Sequence, residues 1–93
     1  MTTISIKGYG GVRLDVALRG AEEAPPVLIV HGAGLTQQDW DDVASALELA
    51  GRRVISFDMR GHGNSEWPGK GYELDKFVED LKAVLAWLDA RPV

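Results

Sequence analysis

The sequence predicts an α/β fold, and three observations carry that reading. Two runs of alternating apolar and polar residues open the chain. Two short strands follow, 27–31 and 53–58, read as buried, the first of them apolar without alternation over 27–30, as strands covered on both faces are. A helical apolar period follows each of those strands. Ninety-three residues make one domain, 1–93.

The alternating runs give a hairpin over 2–19. Ile4 and Ile6 share a face, as do Val12, Leu14, Val16 and Leu18, with Arg13, Asp15, Ala17 and Arg19 opposite. Gly8, Gly10 and Gly11 supply the turn. Pro25 and Pro26 cannot donate ladder hydrogen bonds, so they are placed in a connection. The first buried strand is 27–31. A helix is predicted over 37–50, because Trp40, Val43, Ala44 and Leu47 fall at i, i+3, i+4 and i+7. Thr36 with Asp39 caps its start, and Gly51 caps its end. The second buried strand is 53–58, and the loop after it carries four glycines and a proline.

A last helix, 74–90, has an apolar stripe of Leu74, Phe77, Val78, Leu81, Val84, Leu85 and Leu88. Lys76–Asp80 and Glu79–Lys82 are expected to pair on its outer face, with Arg91 and Pro92 closing it. Strand, helix and strand in that order require a right-handed crossover and a parallel pair.

The charge balance is −4 with no basic face, which argues against nucleic acid and anionic membrane as partners. The absence of cysteine removes disulfides and thiolate metal sites and suits a reducing, cytoplasmic setting. No signal peptide is expected, and no run approaches the ~20 apolar residues of a membrane span.

Chemistry is expected in two loops. The strand Val27, Leu28, Ile29, Val30 runs into His31-Gly32-Ala33-Gly34. Open α/β sheets bind ligands at the carboxyl ends of their strands, and small residues there leave backbone amides free to face a developing oxyanion. The plainer reading is a tight turn with His31 hydrogen-bonded beneath it. Gly32 is expected to need backbone angles that valine rejects. The second loop, Asp58-Met59-Arg60-Gly61-His62-Gly63-Asn64-Ser65, leaves the same end of the neighbouring strand.

Strand, HG, helix, strand, DxRGxGxS and helix, in that order, resemble the N-terminal part of the α/β-hydrolase superfamily. FDMRGHGNS is similar to its esterase, epoxide hydrolase, dehalogenase and haloperoxidase-like branch, and the resemblance covers the whole chain. It implies a partial α/β-hydrolase domain with strand order 1-2-4-3 and a helix on each face. It implies that the Ala33 amide is one oxyanion-hole donor and that Gly32, Gly34 and Leu35 border the substrate. His31, Asp58, Arg60, Gly61, Gly63 and Ser65 would be structural rather than catalytic. The branch often carries an aromatic residue or asparagine, then proline, where this chain has Ala33-Gly34, so substrate class does not carry over.

The family's nucleophile sits on a G-x-S-x-G turn or a variant, followed by the acid and the histidine. All three are expected beyond Val93. The nearest mimic, Gly63-Asn64-Ser65-Glu66-Trp67, lacks the final glycine. The chain is therefore expected to be inactive alone; the alternative is that another chain supplies the catalytic half of an ester or related hydrolase.

His31, His62 and Asp58 have the right chemistry for a metal or a hydrolytic dyad, but no helical i, i+4 spacing supports one, and no metal is expected. Gly61-His62-Gly63-Asn64-Ser65-Glu66 fails the dinucleotide fingerprint at its last position, so no cofactor is expected. Trp67 and Trp87 suit packing better than base stacking. The resemblance leaves one edge of strand 27–30 (Val27, Leu28, Ile29, Val30) open, from which a homodimer, or pairing with a complementary fragment, is expected.

Overall fold

The computed structural model describes residues 1–32 and 34–89. The hairpin is β1 (Thr2–Lys7) and β2 (Arg13–Arg19), joined through a 3-10 turn at Tyr9–Gly11. Two of its glycines, Gly10 and Gly11, hold φ of 66° and 80°, which L side chains rarely adopt. β3 (Pro26–Val30) and β4 (Arg53–Phe57) follow, separated by a 3-10 turn (Gln37–Trp40) that runs into α1 (Asp41–Leu49). The last element is α2 (Leu74–Asp89). The sheet order is β1-β2-β4-β3, with β1–β2 and β2–β4 antiparallel and β3–β4 parallel.

Register sets the two faces. Ile4 pairs with Val16, Val16 with Phe57, and Val30 with Phe57, so these side chains share a face with Ile6, Leu14, Leu18, Leu28 and Ile55. α2 covers that face. Val84 completes a buried cluster with Ile6, Leu14, Val16, Ile55 and Phe57, and Leu81, Trp87 and Leu88 pack against it. α1 lies on β2 and β4 over the other face, where Ala17, Val54, Ser56 and Ala44 are buried. β4 is buried at all five residues, Arg53 and Ser56 included, as a central strand covered on both faces.

Several expectations shift. Pro26 belongs to β3 rather than to the connection before it, and His31 and Asp58 lie just past the strand ends. Proline is tolerated in β3 because β3 is an edge. The helix expected over 37–50 begins with a 3-10 turn, on which the Asp39 carboxylate accepts from the Thr36 N–H at 2.7 Å. Gly51 closes α1 at φ 86°, with Arg52 N–H reaching back to the Leu47 carbonyl. Only Ala44 of the α1 stripe is buried; Trp40 and Val43 are 37% and 44% exposed. Asp80 does not pair with Lys76 on the surface. It is buried against Arg60, while Lys76 turns to Asp75 and the ring of Tyr9. Glu79 and Lys82 do pair, at 3.3 Å. Residues 90–93, with Arg91 and Pro92, lie outside the described residues. No helix among the described residues is long and apolar enough to cross a membrane.

Candidate functional site

The two chemistry-bearing loops leave the carboxyl ends of the parallel pair β3 and β4, side by side. His31, directly after β3, is buried. Its Nε2 accepts the Met59 N–H of the second loop at 2.9 Å, so that nitrogen is unprotonated. Nδ1 therefore carries the proton and donates it to the Gly32 carbonyl at 2.8 Å. His62 mirrors this arrangement from the second loop. Its Nε2 accepts the Gly34 N–H of the first loop at 3.1 Å, and its Nδ1 faces the Arg60 carbonyl at 3.0 Å. Each histidine thus holds the other loop's backbone, and the two rings lie 5.2 Å apart. The Leu35 N–H closes the first loop onto the Gly32 carbonyl at 3.1 Å.

Ala33 lies outside the described residues. Of its neighbours, Gly32, Gly34 and Leu35 are exposed. The conformational demand falls at Gly34, whose φ is 83°, and not at Gly32. A Cβ added to Gly32 would meet only the Leu35 side chain, at ordinary contact distance of 3.8 Å. The expectation that Gly32 needs glycine is therefore corrected to Gly34.

Asp58 is buried at the base of the second loop. Its Oδ1 accepts the Gln37 N–H at 2.8 Å, and its Oδ2 accepts the Asn64 N–H at 3.1 Å and Gln37 Nε2 at 3.2 Å. One carboxylate so ties the start of the α1 segment to the turn of the second loop. Gly63 sits against it at φ 49°, where an added Cβ would come within 2.5 Å of the carboxylate. Gly61, at φ 71°, is equally tight against the Tyr72 ring. The Ser65 hydroxyl donates to the Asp58 carbonyl and accepts the Asp15 N–H at 2.8 Å. Glu66 continues the seam, exchanging backbone and side-chain bonds with Arg13.

Gln37 is a hub that the sequence does not announce. Buried, it donates to the Asp15 and Asp58 carboxylates and accepts from the Ser56 hydroxyl at 2.8 Å. Burial, then the nearby Asp58 charge, raise the pKa of Asp15, while Arg13 and Gln37 pull it down.

Arg60 is buried on the α2 side. It grips Asp80 with two bonds of 2.6 and 2.7 Å and donates to the Gly71 and Tyr9 carbonyls at 3.0 Å each. The bonds from Asp80 raise the Arg60 pKa, against the opposing effect of burial. Asp80 also accepts the Tyr9 N–H, which joins the hairpin turn to the same cluster.

This arrangement does not make a dyad or a metal site from His31, His62 and Asp58. Both Nε2 atoms are occupied by backbone N–H groups, and Asp58 is engaged by Gln37 and Asn64. Among the described residues no group of three or more His, Asp or Glu side chains could hold a metal ion. What the arrangement does supply is a rigid pair of loops presenting backbone at the end of the sheet. Trp67 is exposed and donates to the Gly63 carbonyl, while Trp87 packs on the core under Arg53.

The sequence model of the alpha/beta hydrolase fold matches residues 25–93. The non-heme haloperoxidase of Rhodococcus erythropolis is 41% identical over 68 residues, which are 73% of this chain and 25% of that protein. The crystal structure of a bromoperoxidase from Bacillus anthracis superposes with a TM-score of 0.86 at 34% identity, over 95% of this chain and 32% of that one. An esterase from Exiguobacterium antarcticum superposes with a TM-score of 0.88 at 26% identity, again over 95% and 32%. The chain spans about a quarter to a third of the length of these relatives.

Proposed function

This chain belongs to the alpha/beta hydrolase fold family, and from that premise we propose that it is the oxyanion-loop part of a hydrolase acting on esters or related substrates. The observation that carries the reading is the reciprocal bracing of the two loops by His31 and His62. An oxyanion is stabilised by donors held in place before the charge develops. Within the first loop, the Gly34 amide is used by His62 and the Leu35 amide by the Gly32 carbonyl. The family pattern gives the oxyanion role to neither of these two but to the amide of Ala33. Gly32, Gly34 and Leu35 border the substrate in this reading. His31, Asp58, Arg60, Gly61, Gly63 and Ser65 hold the loops. The cysteine-free composition favours a cytoplasmic setting.

The chain's own serines do not provide a nucleophile. Ser56 and Ser65 are buried and bonded, Ser45 accepts from Arg19, and Ser5 lies in β1 opposite Asp15. Among the described residues no serine hydroxyl is bonded to an imidazole nitrogen. The 93 residues alone are therefore expected to show no saturable ester hydrolysis. The names of the relatives above, an esterase among them, favour an ester over other substrates.

The test is complementation. The chain is co-expressed with the portion of the Rhodococcus erythropolis haloperoxidase outside the matched quarter, and p-nitrophenyl acetate hydrolysis is followed. Turnover is expected only in the assembled pair, and Ala33→Pro, which deletes one N–H, is expected to remove most of it. Turnover by the chain alone that disappears on His62→Ala would contradict the reading, as would a complemented pair indifferent to Ala33→Pro.

A further inference from the structure

The two loops are not held alike. The second is fixed within itself and to the hairpin. The His62 N–H donates to the Met59 carbonyl, the Ser65 N–H to the His62 carbonyl and the Gly61 N–H to the Glu66 carbonyl, at 3.0, 3.1 and 2.9 Å. Asp58 accepts the Asn64 N–H, and the Ser65 hydroxyl accepts the Asp15 N–H. The first loop has fewer ties. Of its described residues 32, 34 and 35, Gly34 alone is hydrogen-bonded to the second loop, through its N–H on His62 Nε2 at 3.1 Å. The Gly32 carbonyl and the Leu35 N–H bond within the first loop itself.

A ring nitrogen accepts a hydrogen bond only while it carries no proton. His62 Nδ1 faces the Arg60 carbonyl at 3.0 Å and holds the one proton of the neutral ring, so a second proton has only Nε2 to go to. There it sets donor against donor with the Gly34 N–H, and the bond is lost. Water can take over both groups, because His62 is only half-buried and Gly34 is exposed. The bond also depends on glycine. Gly34 holds φ of 83°, and a proline there would have no N–H to offer and could not reach that angle.

We propose that His62 is a positioning residue that works as a proton-operated latch. Neutral, it holds the first loop closed through Gly34. Protonated, it releases that loop and leaves the second in place. The imidazole is the side chain that ordinarily changes charge between about pH 5 and 8, so acidification across that range is the signal. The consequence for catalysis rests on the proposed function: the released loop carries the Ala33 amide, and a donor not held before the charge develops stabilises it poorly.

The titratable groups around the ring leave this bond to His62. His31, at the end of β3, lies 5.2 Å away, but its Nε2 accepts the Met59 N–H, so its protonation would free Met59 rather than Gly34. In the second loop, Asp58 is engaged by Gln37 and Asn64, and the Arg60 guanidinium turns to Asp80 of α2.

The test is a titration of the whole chain, followed by nuclear magnetic resonance from about pH 8 to about pH 5. Ring-nitrogen shifts give the protonation curve of each histidine separately. Exchange with water, compared with the intrinsic rate at the same pH, gives the protection of each amide. Gly34 protection is expected to fall by about fivefold or more, the weight of one net hydrogen bond, along the His62 curve. Asn64 and Ser65 are expected to keep theirs. His62→Gln, whose side-chain carbonyl accepts at any pH, is expected to keep Gly34 protected throughout. Gly34 protection that stays flat while His62 titrates overturns the proposal. So does protection that follows the His31 curve, a loss shared by Asn64 and Ser65, or a His62→Gln chain that loses Gly34 protection in acid as the unsubstituted chain does. If the glutamine variant fails to fold, the two ring curves of the unsubstituted chain decide alone. No substrate enters these measurements, so a failed complementation and a failed latch are separate results.

Discussion

Replacing Asp80 by alanine should be among the most damaging single changes to this chain, for a reason its sequence conceals. Asp80 is 1% exposed and Arg60 2% exposed. Removing the carboxylate leaves the guanidinium buried, without its two shortest bonds, and strands the Tyr9 N–H. Breaking a buried ion pair from one side costs about 3–5 kcal/mol. The Gly71 and Tyr9 carbonyls still accept from Arg60, which places Asp80→Ala toward the lower end, about 3 kcal/mol. In a domain of this length that corresponds to a melting temperature lower by about 12–24 °C. The exposed pair Lys82–Glu79 provides the contrast, since Lys82→Ala should cost under about 0.5 kcal/mol. Urea unfolding followed by far-UV circular dichroism measures both. A double-mutant cycle should give coupling well above ~1 kcal/mol between Arg60 and Asp80, and near zero between Lys76 and Asp80. Should Asp80→Ala cost less than about 1 kcal/mol, or the Lys76 coupling exceed that of Arg60, the buried cluster would be refuted.

Three further outcomes follow from the loops. Gly34→Ala should destabilise by about 1–2 kcal/mol because its φ is 83°, whereas Gly32→Ala should be close to neutral; thermal melts of the two variants give the comparison. Gly63→Ala should cost more than Gly34→Ala, since its Cβ would press on the buried Asp58 carboxylate as well as require a positive φ, and equal costs would count against that contact. The raised pKa of Asp15 means that the folded state binds its proton more tightly than the unfolded state does. The stability this lends is full below the unfolded value of 3.8 and is lost as pH rises through the folded one. Asp15→Asn should accordingly stabilise at neutral pH, with the advantage vanishing below 3.8; an advantage that persists in acid would point to another cause.

The fold was legible because its periods are clean. The alternation of β2, the buried β4 and the inner part of the α2 stripe each match a burial pattern in the structure, whereas β3, read as covered on both faces, is an edge strand with no fully buried residue. Periodicity alone could not say how much of an apolar face finds a cover. Trp40, Val43, Val78 and Leu85 fall at helical spacing in the sequence yet stay exposed. Charge spacing misled at Asp80: i, i+4 to Lys76 is a surface pattern, and nothing local reveals an arginine 20 residues earlier that folds against it. Gln37 went unnoticed for the same reason, because its three partners come from β2, β4 and the end of β4. The HG and DxRGxGxS loops were legible as a pair from their place after parallel strands. Their mutual bracing was not, because it runs from each histidine to backbone N–H groups that sequence cannot rank.

That bracing is what the functional reading rests on, and the imidazole nitrogens report it directly. A long-range proton–nitrogen correlation spectrum of the uniformly labelled chain near neutral pH assigns the tautomer of each histidine. The structure requires Nδ1–H with an acceptor Nε2 in both His31 and His62, with the Gly34 and Met59 amides shielded from exchange by those two rings. Finding either ring as the Nε2–H tautomer, or the Gly34 amide exchanging as freely in the unsubstituted chain as in His62→Ala, would contradict the account.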